Sequence, residues 1–269
     1  MAEGDSFVAT LRTATQQETQ ALLNEAVKTA GSAAVAVTAA EAKPIAPGVE
    51  RWNVKVGADP TVTQVKNVVA DTSVRELGAL PRPSQLMPAE STHPAYDDAR
   101  IGPVETTVWR VRVQIIALRM EQDGDYHLVL QDDSGATLVA EVPLPSATSK
   151  PRPFVPASSP FFKDIQSARA AVDAKFGPAI KATAFVPSIA NADSKLVPVA
   201  TFAAVAAPSQ SVDLAATTTS PDTSAVFATR ITPAAATVTG VGFFDYDHGQ
   251  TGNAPNILEL HPVLNIDFT

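Results

Sequence analysis

The chain has 269 residues, of which 45% are hydrophobic and 18% are charged, so it can bury a sizeable core in one large domain or two small ones. Its formal net charge of -8 disfavours nucleic-acid binding, which requires a basic surface, and the absence of cysteine excludes disulfides, thiolate metal sites and cysteine nucleophiles. No apolar run is long enough to span a membrane, and the sequence as given shows no signal peptide, which makes the cytoplasm the default expectation.

The N-terminal residues predict a helix followed by a tether. Residues 6–30 carry a partial apolar stripe, with Ser6 as the expected N-cap and Gly31 as the stop. Residues 30–48 are rich in Ala, Pro and Gly, which is typical of a tether. We expect the helix to pack on the main domain or on a second chain, so a protein partner or self-association stays open. The predicted units are therefore residues 1–48 and a main domain at 49–269.

The first half of the main domain predicts a meander of three antiparallel strands. TVTQVKNVVADTSVREL can form a helix before it. The long, β-branched segment TTVWRVRVQIIALRME predicts a bent strand, and the turns QDGD and DSG separate it from the strands DYHLVLQD and ATLVAEVPL. Because side chains alternate along a strand, Leu128 is expected in the core, with Asp125 and His127 on the opposite, outward face.

A helix and two further strands complete the predicted domain. FFKDIQSARAAVDAKFG has apolar residues at helical spacing and Gly177 as the expected C-cap. A low-complexity insertion at about residues 186–236 separates this helix from the strands TVTGVGFFD and ELHPVLNIDF. The order indicates a mainly-β fold, an OB-like five-stranded barrel with one helix between strands three and four. An open β-sandwich is the alternative.

Three segments carry a resemblance to a known family. ERWNVKVGAD, EQDGDYHLVLQD and GVGFFDYDHGQTGNAPNILELHPVL occur in this order between residues 50 and 268. With them the chain resembles a family of uncharacterised bacterial proteins. The resemblance implies a single domain and no settled activity.

The candidate site combines carboxylates with imidazoles. Two strands each present such a pair at the i, i+2 spacing, and the loops that join strands one to two and four to five flank the usual ligand face of an OB barrel. Carboxylate and imidazole together can bind Zn, Mn or Fe, or can act as a general acid and base. We predict no cofactor, leave a divalent metal open and assign no catalytic residue. The candidate ligand-binding residues are Asp123, Asp125, His127, Asp245, Asp247, His248, Glu259 and His261.

A structural role competes with each of these assignments. A strand histidine beside an aspartate is commonly a satisfied hydrogen-bond partner, and the polar residues of DYDHGQTGNAPN can pin their own loop. The predicted function is a binding or interaction module, part of a larger assembly, with a polar loop site at the barrel mouth. The sequence does not decide whether the chain is an enzyme. The alternatives are a metal-assisted, phosphodiesterase-like hydrolase and single-stranded nucleic-acid binding through Arg110, Arg112 and Arg119 with stacking aromatics.

Overall fold

A computed structural model describes residues 6–30, 50–89, 93–121, 124–145, 155–183, 229–247 and 249–269. The predicted tether, most of the predicted insertion, Asp123 and His248 lie outside the described residues. Among the helices that the structure describes, none is both long enough and apolar enough to cross a membrane.

The described residues form one sheet and several helices. The strands are β1 (Arg12–Thr13), β2 (Val68–Thr72), β3 (Val108–Met120), β4 (Tyr126–Gln131), β5 (Thr137–Val142), β6 (Thr229–Phe244) and β7 (Leu258–Phe268). The α-helices are α1 (Gln16–Ala30), α2 (Trp52–Lys55), α3 (Val74–Gly78) and α4 (Phe162–Thr183).

Strands β3 to β7 close into a five-stranded barrel. The pairing order is β3-β4-β5-β7-β6, and β6 returns to pair with β3 from Val108↔Val241 to Leu118↔Thr229. Every barrel pair is antiparallel except β5 with β7. In the sequence, α4 lies between the third and fourth barrel strands, β5 and β6. The prediction of a mainly-β fold with a five-stranded barrel and an N-terminal helix is confirmed.

The barrel core is made by the apolar side chains that alternate along its strands. Leu128 is fully buried, as predicted, and so are Leu138 and Leu260 on the neighbouring strands. Ile165 and Val172 of α4 belong to the same core. The register of β3 shifts between Ile115 and Ala117, an irregularity of the kind that bends a strand.

The segment before β3 differs from the prediction. Residues 61–77 do not form one helix, because VVADT at their centre becomes β2 and pairs parallel with β3. The β-branched valines suit a strand, and pairing with the barrel overrides the weak helical pattern. The helix α3 follows β2 and starts with a capping box between Ser73 and Glu76.

The N-terminal helix starts later than predicted. Ser6 is not its N-cap, since α1 begins at Gln16 and Ser6 instead hydrogen-bonds to Asp164 of α4. Thr15 and Glu18 form a reciprocal pair at the true start, with the Glu18 amide donating to the Thr15 hydroxyl at 3.2 Å and the Thr15 amide to the Glu18 carboxylate at 2.8 Å. Leu23 is buried in the core of the main domain, so α1 packs on its own chain.

Two predicted boundaries move in the structure. The helix α4 passes through Gly177, which is not its C-cap, and ends at Thr183. The strand β6 begins at Thr229, inside the range assigned to the insertion. The alanines that made this segment look irregular pair with β3, where Ala235 lies opposite Gln114. Alanine has a low strand propensity, but the pairing with β3 outweighs it in this segment.

Candidate functional site

A group of charged side chains lies on the face of the sheet opposite the barrel core. His127 of β4 and Glu141 of β5 are direct cross-strand partners. The pairing of β5 with β7 places Val139 opposite Glu259 and Ala140 opposite Leu260, so His261 follows beside Glu141. We call this group the carboxylate–histidine cluster. Its members are Lys55, Glu121, Asp125, His127, Glu141, Asp245, Glu259 and His261.

The cluster residues other than Glu121 are buried, although strand alternation predicted an outward face for Asp125 and His127. Asp125 and Glu259 are each 1% exposed, His127 is 2% exposed and His261 is fully buried. Alternation along the strand does put Asp125 and His127 on the face away from Leu128. That face is nevertheless covered by a second layer of the same chain, which strand periodicity cannot reveal.

Residues 245–257, the loop between β6 and β7, provide part of the cover. The carbonyl oxygen of Thr251 lies 3.4 Å from Nε2 of His127. Gly252 lies so close to β4 that a Cβ there would be 2.4 Å from Cγ1 of Val129. The side-chain amide of Asn256 donates to the carbonyl oxygens of Leu77 and Leu80, at 2.9 and 2.8 Å, which fixes the end of the loop.

Residues 50–59 provide the rest of the cover and carry Lys55. Lys55 Nζ lies 3.4 Å from each carboxylate oxygen of Asp245 and 5.3 Å from the centre of the Phe243 ring. Phe243 in turn meets the His261 ring edge-on, with 5.6 Å between the ring centres. The ammonium group is therefore held on the cluster side of the sheet.

Two buried ion pairs hold this segment against the barrel. Arg51 donates to both oxygens of Glu105, at 2.6 and 2.7 Å, and Glu105 also accepts from the amide of Phe244 at 3.0 Å. Arg100 donates to Asp59 at 2.7 and 3.1 Å. Fork-shaped guanidinium contacts of this kind fix orientation as well as charge. They fix Arg51 and Asp59, which lie on either side of Lys55 in the sequence.

His127 lies between two carboxylates and a carbonyl group. Its Nδ1 atom is 3.0 Å from Oε1 of Glu141 and 3.5 Å from Oε1 of Glu121. Because the Thr251 carbonyl can only accept, Nε2 is the nitrogen that carries a hydrogen there. Nδ1 therefore faces two carboxyl groups, and it can hold a second proton, bind a cation that they share, or accept a hydrogen from Glu141, whose pKa burial raises.

His261 has close neighbours but no hydrogen bond. Its Nδ1 atom is 3.2 Å from Oε2 of Glu141 and 3.9 Å from Oε2 of Glu259, and its Nε2 atom is 3.9 Å from Oδ2 of Asp125. Neither ring nitrogen, and neither carboxylate oxygen of Glu259, hydrogen-bonds to any residue that the structure describes. Polar groups buried in this state cost free energy unless a ligand pairs with them.

The electrostatics of the cluster follow from burial and like charge. Burial, with the nearby charge of Asp245, raises the pKa of Glu259 well above its usual value. Burial and the charge of Lys55 lower the pKa of His261 well below its usual value. Burial alone would lower the pKa of Lys55, but Asp245 and Glu141 raise it above the ordinary lysine range. The cluster thus combines a charged ammonium, that of Lys55, with a carboxyl group, that of Glu259, that resists ionisation.

The remaining predicted residues stand apart from the cluster or outside the described residues. Asp247 is exposed, and its carboxylate accepts the amide of Gly249 at 3.0 Å in a local turn. It therefore pins its own loop, as the structural alternative predicted. Asp123 and His248 lie outside the described residues, so their roles stay predictions.

Sequence reasoning missed Glu141, Glu121 and Lys55. Glu141 was detectable as a candidate, because it is the one charged residue within the apolar strand TLVAEV, but its place opposite His127 depends on the register of β5 with β4. Lys55 belongs to ERWNVKVGAD, but its approach to the barrel depends on tertiary contacts. No short-range signal marks that approach.

The aromatic residues considered for base stacking are not available at the surface. Trp109 and Phe243 are fully buried, Phe244 is 1% exposed, and Tyr126 and Tyr246 are also buried. Base stacking requires exposed aromatic rings. These side chains therefore give no support to single-stranded nucleic-acid binding.

Comparison of the chain with family models, with curated proteins and with solved structures found no match in any of the three. The resemblance to uncharacterised bacterial proteins accordingly stays a prediction. The functional argument depends on the geometry of the cluster.

Proposed function

We propose that the chain is a binding module that holds a divalent cation in the carboxylate–histidine cluster. The observation that carries the proposal is the pair His261 and Glu259, which are almost completely buried yet make no hydrogen bond to a described residue. A cation would accept the lone pairs of both side chains. The sequence predicts a binding module, and a divalent cation is the ligand that we propose for it.

The charge balance supports a cation. The cluster has five carboxyl groups, of which Asp245 lies 3.4 Å from Lys55 and Glu121 pairs with Arg119. Isolated buried carboxylates either take up protons or pair with a cation. Without a cation, Glu259 would instead hold a proton, in keeping with its raised pKa. Metal binding would replace these protons and release them to solvent.

The surroundings of His127 are typical of a metal-ligating imidazole. Such a histidine usually donates its second ring N–H to a carbonyl or carboxylate, which fixes the tautomer. The contact of Nε2 with the Thr251 carbonyl has this form and leaves Nδ1 directed at Glu141 and Glu121. With no metal, the same geometry suits an imidazolium ion.

The donor set indicates which cation is preferred. Imidazole nitrogen combined with carboxylate oxygen suits Zn²⁺, Mn²⁺ or Fe²⁺, whereas Ca²⁺ and Mg²⁺ prefer oxygen ligands alone. The chain has no cysteine, so thiolate ligands are excluded. We therefore expect Zn²⁺ or Mn²⁺ to bind more tightly than Ca²⁺.

Burial favours a binding role over hydrolysis. A catalytic metal keeps an open position for water and substrate. Lys55 fills the space over Asp245, and the cluster ligands other than Glu121 are buried. We therefore propose binding, with no hydrolytic step.

Calorimetric titration of chelator-treated protein with Zn²⁺ tests the proposal. The wild-type chain is expected to bind, and His261→Gln and Glu259→Gln are each expected to weaken binding at least about tenfold. Asp247→Asn is the control, because Asp247 is an exposed carboxylate on the loop that covers the cluster and does not belong to the cluster, and this variant should bind like the wild type. Circular dichroism checks that each variant is folded.

Absence of binding by the folded wild type would overturn the proposal. So would equal affinity of the wild type and the two cluster variants, since binding would then occur elsewhere. Loss of affinity in Asp247→Asn would point to the exposed loop as the site.

A further inference from the structure

Two groups of potential ligands in the cluster share one residue. The first comprises Glu121, His127 and Glu141, and the second comprises Asp125, Glu141 and His261. Within each group one ligand atom per residue lies within 4.8 Å of the others. A small rearrangement of side chains could bring each group around one ion, since metal–ligand bonds are about 2.0–2.3 Å long.

Glu141 directs a different oxygen at each group. Its Oε1 atom lies 3.0 Å from Nδ1 of His127, and its Oε2 atom lies 3.2 Å from Nδ1 of His261. A carboxylate with its two oxygens facing two separate imidazoles has the arrangement of a bridging ligand. A carboxylate that bound a single ion would direct one or both of its oxygens at one ligand group, and neither at a second group.

We propose that the cluster holds two divalent cations bridged by the carboxylate of Glu141. This inference rests on the proposed function and specifies the ligand of the same site. The outer position is formed by Glu121, His127 and Glu141, and the inner position by Asp125, Glu141 and His261.

The sheet itself sets the spacing of the two positions. His127, Glu141 and His261 lie on three adjacent strands, β4, β5 and β7, at one level of the sheet. Neighbouring strands are about 4.8 Å apart. An ion on each side of Glu141 is thus separated from the other by roughly one strand spacing, near the 3.5–4 Å of known two-metal sites.

The inner position has one more potential metal ligand beside it. Glu259 has an oxygen 3.9 Å from Nδ1 of His261, and both of its oxygens lack hydrogen bonds to described residues. Glu259 therefore supplies a fourth ligand to the inner ion. The inner position therefore combines negative charge with two side chains, Glu259 and His261, whose potential ligand atoms make no hydrogen bond to a described residue.

The two positions differ in access to solvent. The Glu121 side chain is 16% exposed, and Arg119 beside it is 19% exposed, whereas Asp125, Glu141 and His261 are all buried. Arg119 also donates to Glu121 and lies next to His127 across β3 and β4. We therefore expect the outer ion to leave first and the inner ion to leave slowly.

The stoichiometry of bound metal tests the inference. Native mass spectrometry of the full chain reconstituted with Zn²⁺ is expected to show two ions per chain. His127→Gln and His261→Gln are each expected to retain one ion, and Asp247→Asn is the control that retains two. Chelator should remove the two ions from the wild type in two kinetic phases, and His127→Gln should lose the fast phase.

The outcomes separate this inference from the proposed function. One ion per wild-type chain, lost in His261→Gln, would overturn the two-ion site and leave the proposed function in place. No ion bound to the folded wild type would overturn both.

A spectroscopic measurement needs no variant and remains decisive if the substitutions prevent folding. Wild-type protein loaded with Mn²⁺ should give the electron paramagnetic resonance spectrum of two exchange-coupled ions. The six-line spectrum of isolated Mn²⁺ at full loading would overturn the bridge.

Discussion

At the scale of single residues, the most constrained positions are buried charges with fixed partners. The side chains of Arg51 and Glu105 are 1% and 0% exposed and meet through two short contacts. Arg51 also adopts a left-handed backbone conformation with φ of 52°, which is uncommon for a residue other than glycine. Its side chain donates to the carbonyl oxygens of Tyr96, Ala99 and Phe244, which hold this conformation in place.

Glu105→Gln should lower the free energy of unfolding by about 3 kcal/mol, because the amide keeps the shape of the side chain but leaves the guanidinium charge of Arg51 uncompensated. Urea denaturation measures this loss. Asp71→Asn is the control, since its pair with Arg110 is 52% and 31% exposed and should contribute at most about 1 kcal/mol. Similar losses in the two variants would contradict the assigned role of burial.

At the scale of elements, the loop between β6 and β7 packs on the barrel strand β4, and the helix α1 packs against β2, which lies outside the barrel. Gly252 has φ of 91° and lies against Val129, while Gly249 has φ of 70° and a Cβ there would meet no other described residue within 4 Å. The helix α1 buries Leu23 and exposes Val27, which is 54% accessible. Each element thus has one buried position and one exposed position of the same or a similar residue type, and substitutions at the two can be compared.

Gly252→Ala should destabilise the protein more than Gly249→Ala. Both substitutions meet the backbone cost of a positive φ, about 1–2 kcal/mol, but only the former also forces the loop away from β4. The difference in unfolding free energy between the two variants isolates the contact with Val129. Equal stability of the variants would show that the loop does not rest on β4.

Leu23→Ala should cost about 2 kcal/mol, because it removes a side chain from the core and leaves a cavity. Val27→Ala should cost far less, since Val27 is mostly in solvent. Thermal unfolding of both variants at several protein concentrations checks the comparison. A large effect of Val27→Ala that depends on concentration would instead indicate self-association through α1.

The fold was more predictable from the sequence than the site was. The strands of the barrel were found because β-branched residues and two-residue periodicity are local signals, and α4 because its apolar residues recur at helical spacing. The site required the register of β5 against both β4 and β7, which places Glu141 between His127 and His261. Register and the covering layer that carries Lys55 depend on contacts between distant residues, which no local pattern reports.

At the scale of the whole molecule, the chain uses both faces of its sheet. The inner face packs as a barrel core, and the part of the outer face that carries the cluster is covered by the segment of Lys55 and by the loop of Thr251. The cover brings charged residues out of water, so the stability of the protein should depend on what neutralises them. A ligand that binds only the folded chain stabilises it in proportion to its concentration.

Removal of divalent metal should therefore lower the stability of the whole molecule. At a free Zn²⁺ concentration about 100 times its Kd, the folded state gains about 2.7 kcal/mol relative to chelator-treated protein. Thermal unfolding across a series of free Zn²⁺ concentrations measures this increment. Identical melting temperatures at all concentrations would mean that the cluster holds protons instead of a cation.

The most direct test of the central claim is the anomalous scattering of crystals grown with Zn²⁺. The account predicts anomalous density on the outer face of the sheet, within about 2.0–2.3 Å of a Glu141 oxygen and a His261 nitrogen. Density confined to the protein surface, or none near Glu141 at saturating Zn²⁺, would contradict the cation site.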